Sequence, residues 1–184
     1  MDIKKTANLL LNFTFKRLTE IFGVVILSMG ILLLLSLLTY SPDDPNFIFP
    51  DNVKIKNLLG FRGSYVSDFF FQSIGFISYL FSFTLIFTGI NIFRTKEFFL
   101  IFENLFFSII YLICGTFFLE YYYANAFTLY INGNGGFVGN FFNKSFLTSI
   151  IQINENIFFY FLIIIILFLF LVSINFHPTK FVRS

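Results

Sequence analysis

The sequence predicts an all-α integral membrane protein with four transmembrane helices, both termini cytoplasmic and a short interfacial helix in the second outer loop. Three observations carry this. The chain has 184 residues, of which 57% are hydrophobic and only 12% charged, against about 45–50% and about 25% in soluble domains. The apolar residues gather into four blocks, each near the length that crosses a bilayer. The Lys and Arg residues divide unevenly between the two sides that those blocks define.

An N-terminal arm, residues 1–20, carries Lys4, Lys5, Lys16 and Arg17. It is not a cleavable signal, because the following apolar run is too long and LLTYSP offers no small-residue cleavage site. The four-helix domain covers residues 21–176. Span one, about 21–38, covers roughly 27 Å at the helical rise, close to the hydrocarbon thickness. Spans two, three and four run over about 73–93, 105–122 and 157–174, and residues 177–184 begin a cytoplasmic linker. Arg94, Lys96, Lys180 and Arg183 join the four basic residues of the arm on one side. Lys54, Lys56, Arg62 and Lys144 fall on the other. Eight against four places both termini in the cytoplasm.

Span one stops at Tyr40-Ser41-Pro42-Asp43-Asp44-Pro45. Pro42 cannot continue a helix, and each residue before a proline is pushed toward extended geometry. The segment therefore reads as a rigid exit turn standing in water. Asp43 and Asp44 as a cation site is the weaker reading, since two adjacent carboxylates supply too few ligands. After the turn, Ser64 is a plausible N-cap, with Asp68 in the first turns against the helix dipole. Ser64, Ser67, Asp68 and Gln72 share one face, while Tyr65, Val66, Phe69 and Phe70 share the other. The polar stripe faces water, or alternatively a neighbouring subunit.

The second outer loop holds a glycine cluster, Gly133, Gly135, Gly136 and Gly139. Phe137, Val138, Phe141, Phe142 and Phe146 follow at helical spacing, which suits a short helix on the membrane surface. A phosphate-binding loop is excluded by the missing Gly-Lys-Ser/Thr ending and the missing strand.

Within the spans, Gly75, Ser78, Ser82 and Gly89 line one face of span two. Gly23 and Gly30, and Ser108 and Gly115, repeat the pattern at a spacing of seven. Small residues admit close helix approach in lipid, either within the bundle or between copies. Glu103, Glu120 and Glu155 sit at span ends and read as boundary residues. No carboxylate, Lys or Arg lies near a span centre, and no central polar group marks a transport path. The lone Cys114 and lone His177 support no disulfide, metal site or catalytic triad. No catalytic, cofactor-binding or metal-binding residue is therefore expected. The 33 Phe residues read as compositional drift, because Phe and Leu fill lipid-facing positions almost equally well.

The exit turn Tyr40 to Pro45, NLLG at 57–60, GSYVSDFFFQSIGFISYL at 63–80 and GGFVG at 135–139 occur in a distinctive order. Together they resemble the N-terminal four-helix membrane domain of FtsK/SpoIIIE-type DNA translocases. The matching positions include Gly63, Tyr65 and Asp68 at the start of helix two, and Gly135, Gly136 and Gly139 before the last helix. Phe61-Arg62 depart from the small or proline-containing segment usual there. The resemblance implies an anchor for a hexameric cytoplasmic ATPase that pumps chromosomal DNA at the division septum. It implies divisome membrane proteins as partners alongside the lipid bilayer. DNA would be reached only through a motor domain. No Walker loop occurs before Ser184, so this stretch is not expected to hydrolyse ATP. A small four-span transporter or channel subunit, and a free-standing division scaffold, are the competing readings.

Overall fold

The computed structural model describes residues 3–45, 54–124 and 132–176. The expected linker at 177–184 lies outside the described residues. Helix α1 runs unbroken from Ile3 to Leu38, so the arm and span one are a single helix. At the helical rise its 36 residues reach about 54 Å, well beyond the roughly 30 Å of hydrocarbon. Helix α2 spans Gly60–Ile74 and leads through a 3₁₀ turn, Gly75–Ile77, into α3, Ser78–Thr95. Helix α4 covers Leu100–Tyr123, two short helices follow at α5, Gly136–Asn143, and α6, Leu147–Ile151, and α7 covers Glu155–Ser173. Among the described residues, four helical paths are long and apolar enough to cross a membrane. The all-helical, four-span class expected from sequence is the one observed.

The break between α2 and α3 falls at Gly75, whose φ of 62° and ψ of −148° belong to a region open essentially to glycine alone. A Cβ there would sit 1.9 Å from the Asn134 carbonyl oxygen. Gly75 is thus a joint, and not part of the continuous packing face on which Ser78, Ser82 and Gly89 lie.

Two antiparallel helix pairs make the bundle. Along α1, Thr19, Gly23, Ile26, Gly30, Leu33 and Leu37 are buried in a row, with Ser36 buried beside the last. Their alternating spacing of four and three is that of a left-handed coiled-coil seam. It faces α3 at very close range. A Cβ on Gly23 would meet the Phe93 backbone nitrogen at 2.8 Å, and one on Gly89 the Leu27 nitrogen at 2.4 Å. These small-residue surfaces pack inside one chain. The same holds for Gly115, which rests on Ile77 of the 3₁₀ turn. The second pair is α4 and α7, joined by Phe117, Leu162 and Ile166 with Ile151 of α6. Outside that seam α7 turns Ile157, Phe161, Ile164 and Phe168 outward, as a helix in lipid does.

A buried polar ladder joins α3, α4 and α7, correcting the expectation that the span interiors hold no central polar groups. Thr84 shares a hydrogen bond with the Tyr111 hydroxyl at 2.8 Å and another with Ser173 at 3.2 Å. One turn along, Asn104 donates to Thr88 and accepts from Asn175, both at 2.8 Å. Asn91 donates to the Ile174 carbonyl at 2.9 Å. Asn175 has a positive φ of 52°. Its N–H reaches the Val172 carbonyl and that of Phe176 the Leu171 carbonyl, the paired bonds of a Schellman cap. The end of α7 is therefore fastened to both neighbouring helices.

Candidate functional site

At the end of the bundle where α1 stops and α7 starts, the chain builds a folded cap. Its foundation is the exit turn. The Asp44 N–H donates to the Ser41 carbonyl at 3.1 Å, closing a turn with Pro42 at its first central position, where a fixed φ is favoured. Asp44 itself is only 1% exposed. Its two carboxylate oxygens accept the backbone N–H groups of Lys56 and Asn57, each at 2.8 Å. Pro45 is buried as well. The turn expected to stand in water is thus mostly interior, and only Asp43 stays exposed, pairing with Lys56 Nζ at 2.8 Å. The hydrogen bond from Lys56 to the Asp43 carboxylate holds this lysine above its ordinary pKa. The acceptor oxygens of Asp44 are thus turned to amide donors and an Asp43 oxygen to an ammonium, an arrangement that leaves a poor cation site.

Asn57 continues the construction. Its Nδ2 donates to the Ser36 carbonyl at 2.9 Å, and its Oδ1 accepts from Leu59 N–H at 3.1 Å. Tyr79 donates its hydroxyl to the Leu37 carbonyl at 3.1 Å. The last carbonyls of a helix have no partner of their own, and here side chains from later in the chain supply them. Ser36 Oγ donates to the Gly63 carbonyl at 2.6 Å, tying the two helix ends together.

Helix α2 lies over this foundation with its polar stripe inward. Ser64, Ser67 and Asp68 are each under 5% exposed, whereas Phe69 is 57% exposed. This reverses the expectation that the stripe faces water. Ser64 is no N-cap, because α2 begins at Gly60 and its hydroxyl donates to the Pro45 carbonyl at 2.6 Å. Asp68 lies past the first turn and accepts from the Tyr40 hydroxyl at 3.3 Å and from Gln72. Tyr65 is half-buried and stacks against Phe61, with ring centroids 4.2 Å apart.

The glycine cluster closes the cap from the other side. Phe76 N–H donates to the Asn134 carbonyl at 3.1 Å. A Cβ on Gly136 would meet the Gly75 and Ile74 nitrogens at 2.7 Å. Gly135 and Gly139 lie against the Thr116 carbonyl, where a Cβ would approach to 2.3 and 2.5 Å. Glu120 at the end of α4 accepts from Gly135 N–H at 3.3 Å, and Glu155 accepts from the Tyr121 hydroxyl at 2.9 Å. Helix α5 therefore sits on α4 and α2 through its glycines and leaves Phe137 and Phe141 exposed. Two buried oxygens of this region, Gln72 Oε1 and Asn134 Oδ1, accept no hydrogen bond among the described residues.

The four stretches singled out in the sequence, separated by as much as ninety-odd residues, thus meet at one end of one bundle. Most of their polar groups are spent on one another. What the cap offers outward is Leu58, Phe61, Arg62, Val66 and Phe69 on one side and Phe137, Phe141 and Phe146 on the other. Sequence reasoning missed Asn57 as the central bracket, although it opens the NLLG stretch. Among the described residues no group of His, Cys, Asp and Glu is placed to hold a metal ion. A family model described as the 4TM region of the DNA translocase FtsK/SpoIIIE matches residues 15–181. No curated protein and no solved structure gives a significant match.

Proposed function

This chain belongs to the 4TM family of FtsK/SpoIIIE DNA translocases, and we propose that it anchors such a translocase at the division septum, its cap being the surface that septal membrane proteins read. Membership and four apolar helical paths make it a multi-pass membrane domain in contact with the bilayer. The finer reading adds assembly of copies around a hexameric motor, and through that motor a role in cell division and chromosome segregation.

One observation supports this reading above the rest. The chain commits the exit turn, Asn57, the α2 polar stripe and the glycine cluster to a single hydrogen-bonded cap, where four spans alone would suffice for a tether. Such a cap holds an outward face in fixed shape, and a fixed shape is what a partner recognises at low ordering cost. Helix α2 supplies that face with Phe61, Arg62 and Phe69. Aromatic and Arg side chains are the types enriched at interface centres.

A transporter or channel subunit draws on the polar ladder. Its members are Thr, Ser, Asn and Tyr, bonded to each other across helices, which is how polar groups serve as packing glue in lipid. A proton or ion path would call for intramembrane ionisable residues facing a wet cavity, so the anchor reading is preferred.

The test is localisation of the fluorescently tagged chain in dividing cells. The expected result is a midcell band that is lost on combining Phe61→Ser, Arg62→Glu and Phe69→Ser, with membrane content unchanged. A uniform membrane signal from the unmodified chain, or a band indifferent to the triple change, would overturn the proposal.

A further inference from the structure

At the end of the bundle opposite the cap, α1 continues past its partners. Every residue from Asn8 to Leu18 is exposed, and Thr19 is the first buried residue after them. Those eleven positions add about 16 Å of helix. The neighbouring spans stop short of this level. The α3–α4 link brings Lys96 to Glu20 at 2.8 Å, and Phe98 and Phe99 turn outward beside Phe15 and Thr19 in a shallow cleft. Phe99 is 79% exposed. The apolar path of this helix, Asn8–Leu38, is about 46 Å long at the helical rise and exceeds the hydrocarbon thickness, so its first turns reach from the acyl edge into the headgroup layer.

This foot is not a polar stalk. Leu9, Leu10, Leu11, Phe13, Phe15 and Leu18 are all more than half exposed. Leu11, Phe15, Leu18 and Phe22 form a ridge at spacings of four, three and four, and Asn8, Asn12, Lys16 and Thr19 form a polar stripe beside it. The charged residues of the first nineteen are Asp2, Lys4, Lys5, Lys16 and Arg17, a basic balance. Arg17 pairs with Glu20 at 2.6 Å and lies over the Phe13 ring, so the guanidinium stays along the helix while Lys16 faces outward. Basic residues at an apolar span end are drawn to the headgroups of an anionic leaflet.

We propose that residues 8–18 form a foot that binds anionic phospholipid headgroups of the leaflet on the basic side. The ridge enters the upper acyl region, and Lys16 meets the headgroup phosphates. A second copy fits less well. Along this ridge a parallel partner would bring Lys16 and Arg17 of two copies to the same level, with no acidic residue between Asn8 and Leu18 to offset them. Seated this way, the foot fixes the tilt and depth of α1, and through the α1–α3 seam those of the bundle.

The full chain contains no Trp, so Leu11→Trp gives a single fluorescent reporter at a position with no packing partner to disturb. It is placed in nanodiscs held by a Trp-free scaffold, of phosphatidylcholine with or without phosphatidylglycerol, carrying brominated acyl chains. The expected result is a blue-shifted emission quenched strongly only when phosphatidylglycerol is present. Lys16→Gln should lower that preference roughly fivefold, the weight of one basic residue near an anionic surface. Water-like emission in both disc types would overturn the proposal. So would equal quenching in both, which means apolar insertion without headgroup recognition. Blue-shifted emission that bromine does not quench and that grows with copies per disc would mean a second copy covers the ridge, and would overturn it too. Because no septal protein is present in the discs, the outcome is independent of septal targeting.

Discussion

Asp44 and Asn57 stand thirteen positions apart, yet the carboxylate of the first accepts the backbone N–H of the second at 2.8 Å. That bond, with its twin to Lys56 N–H, turns the exit from α1 into the foundation of the cap. The two adjacent aspartates consequently carry very different stakes. Asp44→Ala leaves two inward-facing amides without an acceptor, at a cost of roughly 2–4 kcal/mol. Asp43→Asn removes only an exposed pair with Lys56, and such pairs contribute little. Thermal melting in detergent should fall clearly for the first variant and barely for the second. The Lys56 shift has the same sign of consequence: its raised pKa makes the pairing present at neutral pH and lost only as strongly alkaline pH removes the ammonium proton.

Gly75→Ala combines a forbidden backbone conformation with a collision against the Asn134 carbonyl. The expected loss is roughly 2–6 kcal/mol, from strain and overpacking together. Gly60 also has a positive φ, but has open space around it. Gly60→Ala should therefore cost less, and comparing the two melts separates strain alone from strain plus collision.

Gly89→Leu should split α1 from α3, since even a Cβ would lie 2.4 Å from the Leu27 nitrogen. Ser78→Leu and Ser82→Leu act on the same interior, because both serines are fully buried within one chain. All three should lower the melting temperature of dispersed single copies. Met29→Leu, on the exposed side of α1, should leave it unchanged. If instead the serine variants shifted oligomer mass with an unaltered melt, the small-residue face would belong between copies.

Asn104→Leu removes the central rung of the ladder and strands Thr88 and Asn175. Interhelical hydrogen bonds in membranes average about 0.6 kcal/mol, with about 1–2 in model peptides, so a loss of about 1–2 kcal/mol is expected. Asn175→Gly keeps the left-handed cap and loses only the side-chain bond, and should cost less than Asn175→Val, which loses both. Accessibility of a cysteine placed at Phe176 would report loosening of this end of α7 before the whole bundle melts.

The spans were legible because lipid forbids unpaired backbone and so forces long apolar helices. The direction of the α2 stripe was not. Periodicity shows that Ser64, Ser67 and Asp68 share a face, but in a membrane protein an apolar face turns outward as readily as inward. The exit turn was read correctly as a stop and incorrectly as wet, since the donors that bury Asp44 come from Lys56 and Asn57, beyond the reach of local reasoning. The ladder had a signal that went unused. Thr84, Thr88 and Asn91 repeat at four and three, and Asn104, Ser108 and Tyr111 do the same. The length of α1 was hidden because a basic arm and a continuing helix look alike where Lys and Arg are good helix formers.

Hydrogen exchange at the Lys56 and Asn57 amides tests the cap most directly. Neither residue lies in a helix, so in a loose outer loop both would exchange at nearly the rate of a free peptide. The expected result is protection comparable to the ends of α1 and α2, lost in Asp44→Ala while α4 and α7 stay protected. Rapid exchange of both amides in the unaltered chain would contradict a folded cap, and with it the fixed surface on which septal recognition is proposed to depend.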